Sequence, residues 1–325
     1  MSDTGSPGQR RGTRRTNLTR TDGTWTGLLL EVAARPRPGL RPWTAENRLL
    51  LTQGTTGSPL LLALVDPDRA GVDFYRTGRY RPFVPPLRAH LARAYEGSPQ
   101  RWSHHFATLL TTSPDSPLHD GRWVLSAEPR LLRWRRAGVG DGEYWGSLVI
   151  GGDPAGYIDW FVHSGSWEIL PMRAMPDDGD PRVKAYRKQA RDGTLPPVLL
   201  WWVSGLDCHL VLDGHARLAA AIAESVEPAV LELRRTAPQE EVDVGTERAV
   251  AAYEAELARF GELRATQGAK VPDGEEFAGP ALARRLAELR TAPRPTWAWP
   301  LPGGVREWRE IAREQVGEGG WECGW

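Results

Sequence analysis

Hydrophobic and polar positions divide this chain into three stretches of different legibility. From Trp25 to about Val162, short apolar runs fall at Leu28–Val32, Leu49–Leu51, Leu60–Val65, Trp123–Leu125, Tyr144–Ile150 and Tyr157–Val162, each bounded by Gly, Pro or Asp. Runs of that length with such boundaries read as strands. Two segments of helical period interrupt them, Pro85–Tyr95 with Leu87, Leu91 and Ala94 on one face, and Gln100–Leu110 with Trp102, Phe106, Leu109 and Leu110. The next stretch is denser. Arg182–Asp192 predicts a helix stopped by Gly193, Val198–Val203 and Cys208–Leu212 predict two strands joined through Ser204–Asp207, His215–Glu224 a second helix, and Pro228–Leu233 a third strand. Beyond Pro238 the pattern is helical, with Val250, Tyr253, Leu257, Phe260 and Leu263 on one stripe and a further helix over Pro280–Leu289. A Trp-rich end follows, Thr296–Pro302 and Val305–Val316. Residues 1–24 show no period and carry five Arg against two Asp, which predicts a disordered basic tail.

These periods predict an α+β protein in four parts: the tail (1–24), an α+β domain (25–164), a small α/β module (165–235) and a helical C-terminal extension (236–325). Charge narrows the classes of partner. Forty-one basic residues meet forty-one acidic ones, so no chain-wide attraction to nucleic acid exists. The helical region from Pro238 to Ala292 holds eleven acids and seven bases, a net of −4, which argues against DNA. No apolar run approaches the ~20 residues of a membrane span, and the Arg-rich start has no apolar core of a secretory signal. Two cysteines, Cys208 and Cys323, fit a reducing, cytoplasmic setting. Only three lysines occur (Lys184, Lys188, Lys270), as a GC-rich bacterial genome would encode, and none sits in a GxxxxGK[ST] phosphate loop.

One segment carries chemistry. LVLDGHARLAAAIAES, residues 210–225, runs from a strand into a helix through Asp213 and Gly214. Gly214 permits a sharp turn and a close approach. The first amides of the following helix, lacking partners, form an anion site. Arg217 in the first turn adds a forked, charge-assisted donor, His215 a proton carrier, and Asp213 a helix cap or a metal ligand. A plain junction, with Arg217 paired to a carboxylate, explains the same residues without a ligand.

This turn resembles that of the ParB/sulfiredoxin superfamily, whose members carry DGHHR-, GERR- or GGCHR-type strand-to-helix turns. The resemblance extends upstream through WEILPMRAM (167–175) and DPRVKAYRKQARDGTLPPVLLWW (180–202), and spans Trp167–Arg234 in all. It implies nucleotide phosphates held by Gly214, His215 and Arg217, with ATP or CTP and Mg²⁺ as cofactor, and His215 and Asp213 as catalytic candidates for phosphoryl transfer or hydrolysis. The departures are specific. His215 stands where sulfiredoxins need cysteine, and Ala216 replaces the second histidine of DGHHR. Met172 and Arg173 stand where free-serine kinases of the group carry glutamates, with Glu168 ahead of the proline instead. A competing expectation is a non-catalytic protein that keeps the fold and binds a protein partner through Trp297, Trp299, Trp321 and Trp325. No metal site is expected: His104 and His105 are adjacent on a helix and point about 100° apart. The Leu/Arg alternation of residues 130–136 reads as a strand with one wet face.

Overall fold

Val198–Val203 has no polar position at all, and a strand without alternation must be covered on both faces. The computed structural model, which describes residues 12–20, 22–128, 140–161 and 168–317, places it accordingly near the middle of a four-layer α+β stack. In chain order the elements are β1 (Gly12–Thr19), β2 (Trp25–Ala33), β3 (Leu40–Ala45), β4 (Arg48–Gln53), β5 (Ser58–Val65), β6 (Gly71–Arg76), α1 (Ala89–Ala94), α2 (Pro99–Thr112), β7 (Gly121–Ser126), α3 (Asp141–Leu148), β8 (Ala155–Asp159) and β9 (Ile169–Pro171). Then follow α4 (Pro181–Arg191), β10 (Val198–Val203), β11 (Cys208–Asp213), α5 (His215–Ala223), β12 (Val230–Arg235), α6 (Gln239–Gln267), α7 (Gly274–Thr291), β13 (Trp299–Pro300) and α8 (Gly304–Val316).

Seven strands form one sheet in the order β1-β2-β7-β12-β10-β11-β9, and six form the other, β13-β3-β4-β5-β6-β8. Alternation decides which side chains meet. Leu28, Leu30, Trp123, Leu125, Leu199, Trp201 and Leu233 of the larger sheet share one buried cluster with Leu51, Leu61, Ala63 and Phe74 of the smaller. On the outer face of the larger sheet, Val198, Leu200, Val211 and Val230 pack against Tyr144, Trp145 and Leu148 of α3 and Leu218 of α5. On the outer face of the smaller, Leu50, Leu62 and Leu64 meet Trp308 and Ala312 of α8. Helix α6 and helix α7 stand apart from this stack as a long pair, with only Val242, Phe260 and Ala278 buried. No described helix is long and apolar enough to cross a membrane.

The structure changes several sequence expectations. Residues 12–19 of the expected tail form the edge strand β1, paired antiparallel to β2 from Gly12 opposite Ala33 to Thr19 opposite Trp25. Its polar composition suits a strand with one open edge and little burial beyond Leu18. Residues 1–11 lie outside the described ones. The run Tyr144–Ile150 belongs chiefly to helix α3 rather than to a strand. Tyr144, Trp145 and Leu148 bury one helical face, and an apolar run this short fits either period. The expected helix from Pro280 begins earlier, at Gly274, because the Asp273 carboxylate accepts from the Glu275 amide at 2.9 Å and caps it there. The larger sheet is continuous across the boundary drawn at residues 164 and 165, since β12 pairs with β7 from Glu232 opposite Ser126 to Arg235 opposite Trp123. The basic run 130–136 lies outside the described residues.

Candidate functional site

Strand β11 ends at Asp213 and α5 begins at His215, so a single residue reverses the chain direction between them. Gly214 does this at φ +105° and ψ 19°, in the left-handed region where a side chain is strained. A second constraint acts there. A Cβ on residue 214 would lie 2.9 Å from Nη2 of Arg217 and 3.2 Å from its Cζ. Glycine is required both by the turn and by the guanidinium lying against it.

Arg217 is only 3% exposed. Its Nη2 donates to Asp213 Oδ2 at 2.6 Å and to the Pro197 carbonyl at 3.0 Å. One side chain thus joins the lead-in to β10, the end of β11 and the first turn of α5. The sequence placed Arg217 as a phosphate-holding group; the structure gives it a positioning role, and occupies Asp213 with the same contact. Asp213 caps no amide of α5, whose N-cap is Gly214.

His215 is 1% exposed, and neither ring nitrogen has a partner among the described residues. Burial pushes its pKa down to about 3, helped by the charges of Arg173, Arg217 and Arg76. The ring is therefore a neutral imidazole, sealed from solvent and unsuited to carrying protons to it. Tyr80 lies beside it, with ring centroids 6.5 Å apart, and its hydroxyl donates to the Leu212 carbonyl at 2.6 Å. Arg76 reaches in from β6 of the smaller sheet, is 4% exposed, and donates to the Pro171 and Gly152 carbonyls. Arg173, just beyond β9, is the half-buried arginine of the three and has no acidic partner among the described residues.

The mouth of α5 is thus a buried concentration of donors. Gly214 supplies no side-chain cap, and the amides of His215, Ala216 and Arg217 meet no acceptor outside the helix among the described residues. Three guanidinium groups act on the same point. Such a place attracts an anion and repels a cation. No group of three or more His, Cys, Asp or Glu able to hold a metal occurs among the described residues, and the Asp213 carboxylate is already bound to Arg217. The residues present do not fit a protein-held Mg²⁺.

No family model, curated protein or solved structure matches this chain.

The remaining candidates are dispersed. Cys208 lies in the core between the sheets, its thiol pushed up by burial. His209 faces the other way, with Nε2 3.9 Å from Glu232. His104 contacts Asn17 at 3.0 Å, while His105 sits among Tyr95, Trp102 and Phe106. Trp297 is 54% exposed and Trp299 pairs with Trp43 of β3, whereas Trp321 and Trp325 lie outside the described residues. Sequence reasoning missed Tyr80 and Arg76, which come from far upstream and carry no local signal. It met Arg173 only as a departure from a family pattern.

Two outcomes test this geometry. Arg217→Ala removes one partner of a buried pair and lowers unfolding free energy by about 3 kcal/mol, read from urea denaturation; a loss under about 1 kcal/mol contradicts the positioning role. The second outcome concerns pH. Unfolded, His215 takes up a proton below its ordinary 6.5; folded, it does so only near 3. The stability it contributes is present above pH 6.5 and is lost as pH falls toward 3. His119, pushed down to about 4 by burial, acts in the same direction, and Glu168, pushed up to about 7 by burial, acts in the opposite one. Comparing wild type with His215→Leu isolates the His215 part: the wild type loses ground to the variant as pH drops from 7 to 4. A constant difference over that range contradicts a buried neutral imidazole.

Proposed function

We propose that this protein binds a nucleotide through its phosphates at the mouth of α5. The observation that carries the reading is the buried, uncapped helix start beside His215, whose ring nitrogens have no partner among the described residues and whose pKa is lowered first by burial and then by the charges of three arginines. A positive potential that discourages a proton on His215 favours an anion at the same point. Buried donors without acceptors are costly, and a phosphate oxygen is the acceptor that suits amides and guanidinium groups together. The resemblance of DGHAR to the ParB/sulfiredoxin turn supports the same ligand, with ATP and CTP as the nucleotides to try.

Each residue then has a separate task. Gly214 supplies the left-handed turn residue that leaves the helix start without a side-chain cap and makes room for the Arg217 guanidinium. Arg217 fixes the turn through Asp213 and the Pro197 carbonyl, and Arg173 makes the charge-assisted contact. Mg²⁺ arrives on the nucleotide's own phosphates and is not held by Asp213. Asp213 is neutralised by Arg217 and His215 is held neutral within the protein, so the reading is of binding, with no catalytic step assigned to either.

Thermal unfolding with ATP or CTP, each with and without Mg²⁺, tests this. At a hundred times Kd a ligand of the folded state adds about 2.7 kcal/mol and raises Tm accordingly. Arg173→Ala, at a half-buried position outside the sheets, weakens nucleotide affinity by about 2 kcal/mol, some thirtyfold, without unfolding the protein. If no nucleotide raises Tm under any of these conditions, the turn is a structural junction. The protein-partner reading, for which the exposed Trp297 under the Arg235 guanidinium is the best anchor, then replaces it.

A further inference from the structure

The opposite end of the larger sheet carries a second concentration of positive charge. A cleft of about 1290 Å³ lies between α7 and the sheet face formed by β1, β2, β7 and β12. Leu18, Leu29 and Val124 form a small apolar cluster at its base. Among the described residues six arginines line it (Arg20, Arg234, Arg284, Arg285, Arg290 and Arg294) against two acids, Glu128 and Glu288, in a chain whose formal net charge is zero. Some of this charge is matched: Arg20 with Glu128 at 2.6 Å, Arg285 with Glu288 at 3.8 Å, and Arg294 with Glu241. Arg284 and Arg290 are exposed and have no acidic partner among the described residues. Arg234 is nearly buried on the floor, its Nη1 3.2 Å from Glu232 Oε1 and its Nε without a hydrogen-bond acceptor among the described residues.

Two further features select among anions. Among the described residues the lining holds no aromatic side chain on which bases of single-stranded nucleic acid could stack. The volume exceeds the ~300–1,000 Å³ of small-molecule pockets, which points to a chain-like ligand. Five consecutive residues at the end of β1, Thr16–Arg20, line the cleft, and β1 is the edge of the sheet, pairing only with β2 among the described strands. An edge strand offers free backbone donors and acceptors to an extended peptide.

We propose that this cleft receives an extended acidic peptide of a partner protein, which pairs its backbone with the open edge of β1 and its carboxylates with Arg284 and Arg290. Of the two alternating sets of side chains on such a strand, one faces the cleft, where its carboxylates meet the α7 arginines, so the favoured sequence has Glu or Asp at every second position. The site is independent of nucleotide binding at α5.

Fluorescence anisotropy of the full chain with a labelled peptide of about ten residues, alternating Glu and Val, tests the proposal; its Lys–Val counterpart, an oligouridylate and inorganic polyphosphate serve as competitors. The expected result is saturable binding of the Glu–Val peptide that weakens with salt. Arg284→Glu combined with Arg290→Glu should weaken it at least about tenfold, since two charge-assisted contacts become repulsive, and Arg284→Gln with Arg290→Gln should do so to a lesser degree. N-methylation of alternate peptide amides should also abolish binding. No binding of the Glu–Val peptide overturns the proposal. So does binding that ignores both arginine variants, equal binding of the N-methylated peptide, or binding of the oligouridylate or polyphosphate without the peptide.

Discussion

The guanidinium of Arg217 lies against the bare Cα of Gly214, and the strand-to-helix junction is built around that contact. Because the turn needs a left-handed residue and Arg217 needs the space a Cβ would fill, only glycine meets both demands. The same guanidinium takes the Asp213 carboxylate and the Pro197 carbonyl, so three successive elements, β10, β11 and α5, are fixed relative to one another by one side chain. The consequence for function is indirect. With Asp213 engaged by Arg217 and Gly214 lacking a side chain, nothing from the turn itself caps α5, and its first amides meet no acceptor outside the helix among the described residues.

Electrostatics act well beyond the junction. Formal neutrality conceals two positive regions at opposite ends of one sheet, one beside β9 and β11, the other beside β1. At the first, burial keeps the His215 imidazole neutral, and the charges of Arg173, Arg217 and Arg76 add to the effect. Two of these arginines are engaged by backbone carbonyls and Asp213, and so organise the site; Arg173 alone is half-buried and without an acidic partner among the described residues, which is why it is the group proposed to meet a ligand. At the second, the arginines line an open cleft, and the ligand proposed for it is correspondingly larger.

Local elements of the central stretch were legible because each is bounded by its own punctuation. β10 falls on Val198–Val203 as its unbroken apolar run requires, and α4 and α5 lie within a residue or two of the periods that predicted them. The turn was legible for the same reason, since Asp-Gly between an apolar strand and an Ala-rich run has few other readings. What could not be read was long-range. Tyr80 and Arg76 reach His215 only because the smaller sheet stacks on the larger, and nothing near them in sequence announces it. The fate of Arg217 was also hidden. Its position in the first turn fits either a phosphate or the carboxylate four residues earlier, and the choice is made by burial, which composition does not reveal. β1 escaped notice because an edge strand with one wet side has the composition of a solvated leader.

The account rests on the α5 amides being open to a phosphate, and backbone NMR observes those amides directly. In a titration of ¹⁵N-labelled protein with ATP or CTP, the account predicts progressive shifts at the amides of Gly214, His215 and Ala216. They should saturate together and be largely absent in the Arg173→Ala variant at the same nucleotide concentration. Unmoved amides at 214–216 in the wild type, with nucleotide shifts elsewhere or nowhere, would contradict it.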